Sequence, residues 1–332
     1  MAEVSLRSVS KAFGKTHAVV DVDMTVPDGA FVVLLGPTGA GKTTTLRLIA
    51  GLEKPDSGEI QIGGESVTGM TPAQRDVAMV FQQYSLYPHL SVRDNLAFPL
   101  RSPILKTPED VITRKVQEVA EVLHIPHKLD NKATELSGGE MQRVSIGRAL
   151  VRDPSIYLMD EPLSSLDAKL RADLRVELKR IHAELAATLL YVTHDQIEAM
   201  TMASHIGVLD EGRLVQFGSP REIYEDPKTV YVAARLGQPR INLLPVGLLD
   251  AAAPSNATTM GLRPEHIRQG EGKEAHVTRV EHLGDQTRLH LKLGEHEVIT
   301  LTDPHSTLNP GEMVQIAARN PIYFDTDGNR VA

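Results

Sequence analysis

The sequence predicts an α/β domain built on a largely parallel sheet, carrying an inserted helical subdomain and followed by a small all-β barrel domain. Three observations carry this. Several short, wholly apolar runs stop abruptly at polar residues, as strands covered on both faces of a parallel sheet do. A long stretch of helical periodicity separates two of these runs. After about residue 237 the texture changes to short alternating segments divided by Gly, Pro, Asp and Asn.

The first segment alternates apolar and polar positions at Val4 and Leu6, then Val20, Val22, Met24 and Val26. That is the pattern of a half-buried antiparallel edge, with Asp28 and Gly29 as a hairpin turn. Residues 31–35 are apolar throughout and end at Gly36. Residues 156–159 end at Asp160 and Glu161, and residues 189–192 end at Thr193 and His194. Ligands collect at the carboxyl ends of strands in open α/β sheets, so one site can gather all three ends. Between the first two runs, Ile112, Val116, Val119 and Leu123 share a helical face, with Thr107 placed to cap before Pro108 at the first helical position. An inserted helical subdomain over about 88–152 is expected. Leu170, Leu174, Leu178, Ile181 and Leu185 repeat the pattern over 167–187, with charges on the opposite face. Segments 277–283 and 287–293 read as barrel strands, and 251–259 as a flexible loop. A boundary near Gln238 and Pro239 divides 1–236 from 237–332.

Composition narrows the function classes. A chain of 332 residues with 41% apolar content exceeds what one core usually holds, so two domains are expected. The net charge of -8 argues against broad binding to nucleic acid or anionic lipid. There is no cysteine, hence no disulfide framework and no thiolate metal site. The first residues lack a signal-peptide core, and no stretch approaches about 18 uncharged apolar residues. A soluble, unexported chain is expected, whose membrane association would run through a partner.

Gly36, Pro37, Thr38, Gly39, Ala40, Gly41, Lys42 and Thr43 follow a buried strand and open a helix over 42–50 closed by Gly51. In that context a glycine-rich pattern becomes a phosphate loop. Without Cβ atoms the glycines let successive backbone N–H groups turn inward as an anion nest, and the helix N-terminus adds partial positive charge. Lys42 is placed to bridge the β- and γ-phosphates of a nucleotide, and the Thr43 hydroxyl to ligate Mg²⁺. Asp160 and Glu161 arrive on a second strand. Asp160 can hold Mg²⁺ directly or through water, and Glu161 can polarise the attacking water as general base. Met alone, an acidic pair before Pro162 is a turn; beside a phosphate loop the catalytic reading is favoured. His194, at the end of a third strand, can donate to the γ-phosphate.

Leu136, Ser137, Gly138, Gly139 and Glu140 precede a helical stretch over 141–152, so Ser137 and the N–H groups after it form a second candidate anion surface. Here the chain resembles the nucleotide-binding subunits of ABC transporters, in which 136–142 stands where the family reads LSGGQ. The resemblance covers about residues 1–236, with the other motifs in order. It implies an ABC-type P-loop NTPase fold with a mixed-sheet core, Phe13 as the aromatic adenine stack and 36–43 with Thr44 as Walker A. It also implies Gln82 as the Q-loop glutamine near the metal, Asp160 and Glu161 as Walker B with its catalytic glutamate, Ser165, Leu166 and Asp167 as the D-loop, and His194 as the switch histidine. The implied cofactors are ATP and Mg²⁺. In the implied homodimer, Ser137 and Gly139 of one copy close over ATP held by the other. Glu140 departs from the usual glutamine. A carboxylate facing a triphosphate is repelled, so it is expected to turn to a ribose hydroxyl or to its own helix N-terminus.

Tyr84, Tyr87, Pro88 and His89, together with a tail containing Gly261, Leu262, Arg263, Pro264, Glu265 and His266, resemble the carbohydrate-importer branch, with its maltose-type and glycerol-3-phosphate-type ATPases. That branch implies two membrane permease subunits docking on the 84–89 region and the helical subdomain, and an indirect link to a solute-binding protein. It also implies a peripheral place on the cytoplasmic face of the inner (plasma) membrane, no nucleic-acid partner, and a C-terminal barrel of OB type, here shorter than usual. A DNA- or ribosome-directed ABC ATPase is the competing reading, weakened by the acidic charge. A binding module locked by nucleotide is a third, weakened by Glu161 with His194.

Overall fold

The computed structural model describes residues 2–103, 105–249 and 253–331. The chain divides into two units, 1–220 and 221–332.

The first unit opens with β1 (Val4–Phe13) and β2 (Thr16–Val26), continues through β3 (Phe31–Leu35), α1 (Lys42–Ala50), β4 (Ser57–Ile62), β5 (Glu65–Ser66) and β6 (Val77–Val80), and then turns helical. α2 (Val92–Ala97), α3 (Glu109–Val122) and α4 (Gly138–Leu150) precede β7 (Ile156–Asp160), α5 (Ala168–Leu185), β8 (Leu189–Thr193), α6 (Gln196–Met202), β9 (His205–Asp210) and β10 (Arg213–Gly218). Two sheets result. One is antiparallel in the order β2-β1-β4-β5, and the other runs β10-β9-β3-β8-β7-β6. In the second, β9, β3, β8, β7 and β6 are parallel and β10 is an antiparallel edge. The three apolar runs are β3, β7 and β8; every residue of each is buried.

Leu46, Leu48 and Ile49 of α1 join Val4, Leu6 and Ile60 of one sheet and Val32 and Leu34 of the other in a single core. Gly51 closes α1 in the left-handed region, and the buried Arg75 guanidinium donates to Leu48 O (2.7 Å) and Ile49 O (2.9 Å) at the same end. The helical subdomain has its own apolar packing, with Leu96, Ile112, Val116, Ala120, Leu123, Val144 and Ile146 buried.

Three local expectations change. Asp28 and Gly29 do turn the chain, but from β2 into β3, which lies in the other sheet; the hairpin is β1–β2, closed at residues 14–15. The N-cap of α3 is Pro108, not Thr107, and Pro108 O takes the first helical bond from Ile112 N. Residues 277–282 of the expected strand 277–283 are the end of a much longer one, β13 (Ile267–His282).

The second unit holds α7 (Pro220–Glu225), α8 (Val230–Arg235), β11 (Asn242–Pro245), β12 (Thr259–Leu262), β13 (Ile267–His282), β14 (Thr287–Leu293), β15 (His296–Thr302), β16 (Met313–Ala318), β17 (Ile322–Phe324) and β18 (Arg330–Val331). Its two antiparallel sheets, β11-β12-β17-β18 and β15-β14-β13-β16, form an all-β fold of OB type. The residues between 221 and the expected boundary at 236/237 group with this unit. The buried Arg263 guanidinium explains why: it donates to Ala233 O (3.1 Å), Leu236 O and Tyr224 O (2.9 Å), tethering both helices to the sheets. Of the expected loop 251–259, Ala251 and Ala252 lie outside the described residues, and Thr259 already belongs to β12. Among the described residues no helix is long and apolar enough to cross a membrane.

Candidate active site

The strand order β3-β8-β7 brings three carboxyl ends side by side, and the chemistry gathers there. α1 starts at Lys42 with Gly41 as N-cap at φ 95°. The Lys42 ammonium is buried and donates to Gly36 O and Pro37 O, both at 3.0 Å, so the loop folds around its own cation. Thr43 Oγ1 donates to Asp160 Oδ1 at 2.8 Å. Burial lifts the Asp160 carboxyl above the usual range, and the neighbouring Glu161 charge adds to this, while the Thr43 bond opposes it. A hydroxyl and a buried carboxylate in contact are hard oxygen donors of the kind Mg²⁺ takes alongside phosphate oxygens, so these residues fit the cofactor.

Glu161 occupies the left-handed region at φ 43°, a conformation costing a non-glycine residue on the order of 1 kcal/mol or more. There its carboxylate spans two partners: Oε2 lies 3.1 Å from His194 Nδ1 and Oε1 3.7 Å from Lys42 Nζ. Glu161 also opens a turn, its carbonyl accepting from Ser164 N at 3.2 Å, so the strained backbone sets the carboxylate between an imidazole and an ammonium at the strand's end.

Gln82 follows β6, beside β7 on the same sheet edge, and is exposed. Among the described residues its amide makes no hydrogen bond to the Thr43–Asp160–Glu161–His194 cluster. Phe13 ends β1 with 47% of its surface exposed and the Lys11 ammonium 5.4 Å from its ring centroid, so it is not a core aromatic.

The second surface is built at the start of α4. Ser137 caps the helix, and Glu140 turns back on the same terminus: Oε2 accepts from Ser137 N and Oγ, each at 2.9 Å, and Oε1 pairs with Lys128 at 3.1 Å. Of the two orientations left open for Glu140, the structure takes its own helix N-terminus. The segment packs on the loop after Glu161. A Cβ on Gly139 would lie 2.4 Å from Leu170 Cδ2, so a larger residue there would require the Leu170 side chain to move. Asp167 caps α5 through Leu170 N at 3.0 Å. One contact had no sequence signal: the Tyr84 hydroxyl, read only as a partner surface, lies 3.2 Å from Ser165 Oγ.

The Ser137 N–H, more than any other contact, holds the Glu140 carboxyl below its ordinary value, and Lys128 assists. A lowered folded-state pKa stabilises fully above the unfolded value near ~4.3 and is lost as pH falls through the folded one. Glu140→Gln keeps an acceptor for Ser137 N but loses the charge. Thermal melts of the nucleotide-free protein should show a deficit of about 1 kcal/mol or less at pH 7 that shrinks as pH falls through the lowered Glu140 value.

Comparisons with known proteins identify the family. The ABC transporter family model matches residues 19–164 and the TOBE domain model residues 260–320. The chain is 43% identical over 100% of both chains to the sn-glycerol-3-phosphate import ATP-binding protein UgpC 3 of Agrobacterium fabrum. It is likewise 43% identical, over 100% of both, to UgpC of Brucella abortus biovar 1. Among solved structures, the ATP-binding cassette MJ0796, a dimer in a post-hydrolysis state bound to ADP and Pi, aligns with TM-score 0.58 and 30% identity over 66% of this chain and 99% of that one. With full-length identity at this level and the phosphate loop, acidic pair and histidine on one sheet edge, the chain belongs to the ATPase subunits of the ABC transporter family.

Proposed function

We propose that this ATPase powers import of a phosphorylated polyol or related sugar derivative, acting as a pair of copies bound to membrane permease subunits. The full-length relatives named for sn-glycerol-3-phosphate import support the cargo class. The observation that carries the chemistry is the Glu161 carboxylate held between His194 and Lys42. ATP binding draws the Lys42 ammonium from the loop carbonyls toward the β- and γ-phosphates. Thr43, Asp160 and Gln82 would hold Mg²⁺, which when bound neutralises phosphate charge. A water oxygen attacks the γ-phosphorus in line, the bond to the β-phosphate oxygen breaks, and Glu161 accepts the water's proton. His194 keeps the Glu161 carboxylate in place through Nδ1–H, and in its imidazolium form its Nε2–H also donates to the γ-phosphate. Phe13 stacks on the adenine. Ser137, Gly138 and Gly139 close over the nucleotide of the other copy, and Asp167 reaches the same interface.

A groove of about 250 Å³ lined by Phe81, Tyr84, Ser85, Phe98 and Arg148 supports permease docking on the 84–89 side of the helical subdomain. Phe81 and Phe98 are substantially exposed there, an apolar patch that a partner segment would cover.

The test is reconstitution of the chain with its permeases and solute-binding protein in vesicles. ATP hydrolysis should rise on adding sn-glycerol-3-phosphate, with uptake of the label. A rate indifferent to every phosphorylated polyol tried, or recovery of the chain with nucleic acid and no membrane protein, would refute the proposal.

A further inference from the structure

Arg171 stands in the first turn of α5, its own N–H bonded to Asp167 O at 2.9 Å. Its side chain runs back over the irregular loop between Glu161 and Asp167. Nε donates to Leu163 O at 3.3 Å, and Nη2 to Ser164 O at 3.4 Å and Leu166 O at 2.9 Å. Nη1 lies 3.8 Å from Asp195 Oδ2. Asp195 directly follows His194, and its other oxygen caps α6 by accepting from Ile197 N at 2.7 Å.

These contacts close a ring. Glu161 begins the loop that Arg171 grips; Arg171 reaches Asp195; Asp195 adjoins His194; and His194 Nδ1 returns to Glu161 Oε2 at 3.1 Å. The loop's own bonds are two turns, Ser164 N to Glu161 O at 3.2 Å and Leu166 N to Leu163 O at 3.3 Å, and Arg171 adds a second donor at Leu163 O and supplies donors to Ser164 O and Leu166 O. A guanidinium offers a planar fork that can span several acceptors and a carboxylate together; an ammonium offers one point. The helix caps do not need it, because Asp167 and Asp195 cap α5 and α6 with their own side chains. Nor does burial force the side chain there, since it is 31% exposed.

We propose that Arg171 is a positioning residue for hydrolysis. It holds the loop bearing Glu161 and the turn bearing His194 in register, and fixes Ser165 to Asp167 in the same grip. The inference rests on the reading of Glu161 as general base. It gives the chain a mechanical link between its own hydrolytic groups and the segment expected to face the second copy's nucleotide.

The experiment measures steady-state ATP turnover against ATP concentration in the full-length protein, per folded site counted by nucleotide titration. Arg171→Ala should lower kcat about tenfold, as sub-ångström misplacement of a base does, with KM for ATP changed less than about twofold. Arg171→Lys should fall between, because it can meet the carbonyls or Asp195 but not both. Asp195→Asn keeps a competent cap and removes only the charge. Combined with Arg171→Ala it should add no further loss, since both act through one link. Unchanged kcat per folded site in Arg171→Ala, equal loss in Lys and Ala variants, or additive losses with Asp195→Asn would each overturn the proposal. Failure of the underlying base assignment is separable: there Glu161→Gln itself would keep its turnover.

Discussion

Glu161→Gln is expected to cut steady-state ATP turnover by about 10²- to 10⁴-fold while leaving ATP binding intact, the range that removal of a positioned general base produces. The substitution is nearly isosteric, so the residue can stay in its left-handed backbone position and keep a hydrogen bond with His194 Nδ1. What it loses is proton affinity. An amide cannot take the proton of the attacking water, and the neighbouring carboxylate, Asp160, is already engaged by Thr43 Oγ1. Removing the negative charge 3.7 Å from Lys42 also frees that ammonium for phosphate and lowers repulsion toward a triphosphate. The variant should therefore bind ATP at least as tightly as the parent and accumulate as an ATP-bound dimer, seen by size-exclusion chromatography with ATP and Mg²⁺. Turnover within about threefold of the parent would show that another group takes the proton, since a general base contributes at least ~10²-fold. His194→Ala is the companion. It leaves the base but removes its restraint, so its loss should be smaller and should not be accompanied by a trapped dimer.

Much of this site was readable in advance because its grammar is local. A buried run, a glycine-rich turn and a helix start are bonds between near neighbours, and α1 spans the expected 42–50 with Gly51 as its cap. The return of Glu140 to Ser137 is equally local, a three-residue reach. What the sequence hid is long-range. Asp28 and Gly29 look like a hairpin turn because turn chemistry does not say which sheet the next strand joins. β13 looked short because Gly270 and Gly272, at φ 92° and 97°, interrupt its alternation where the register against β16 shifts between Gln269 and Lys273. Arg171 gave no signal at all: a charged residue on the polar side of an amphipathic helix reads as solvated until the loop carbonyls it meets are known. Arg263 is visible in the sequence only as part of the tail motif; its bonds to Ala233 and Leu236, which tie the segment from 221 to the second unit, are not legible there.

The second large effect concerns the phosphate loop itself. Gly41→Ala should destabilise the nucleotide-free protein by about 2 to 4 kcal/mol and abolish ATP binding. Two costs add. Alanine in the left-handed region at φ 95° is disfavoured by roughly 1 to 2 kcal/mol. The new Cβ would also sit 2.3 Å from Ala18 O and 3.3 Å from Gly212 Cα, both backbone atoms, so no side-chain rotation can relieve the clash. The backbone there is tied down: Gly212 N donates to Ala40 O at 3.2 Å, and Val20 N to Gly212 O at 2.8 Å. Relief therefore has to come from the loop, which swings away from β2 and takes the Lys42 and Thr43 amides out of the nest. Gly39→Ala is the internal control. Gly39 is also left-handed, at φ 84°, but an added Cβ would meet nothing within 4 Å. Its cost should be the conformational part alone, about 1 kcal/mol. Thermal or urea unfolding without nucleotide measures both. A Gly41 variant no less stable than the Gly39 variant would show that the loop yields freely, and that the contact with Ala18 does not set the shape of the phosphate site.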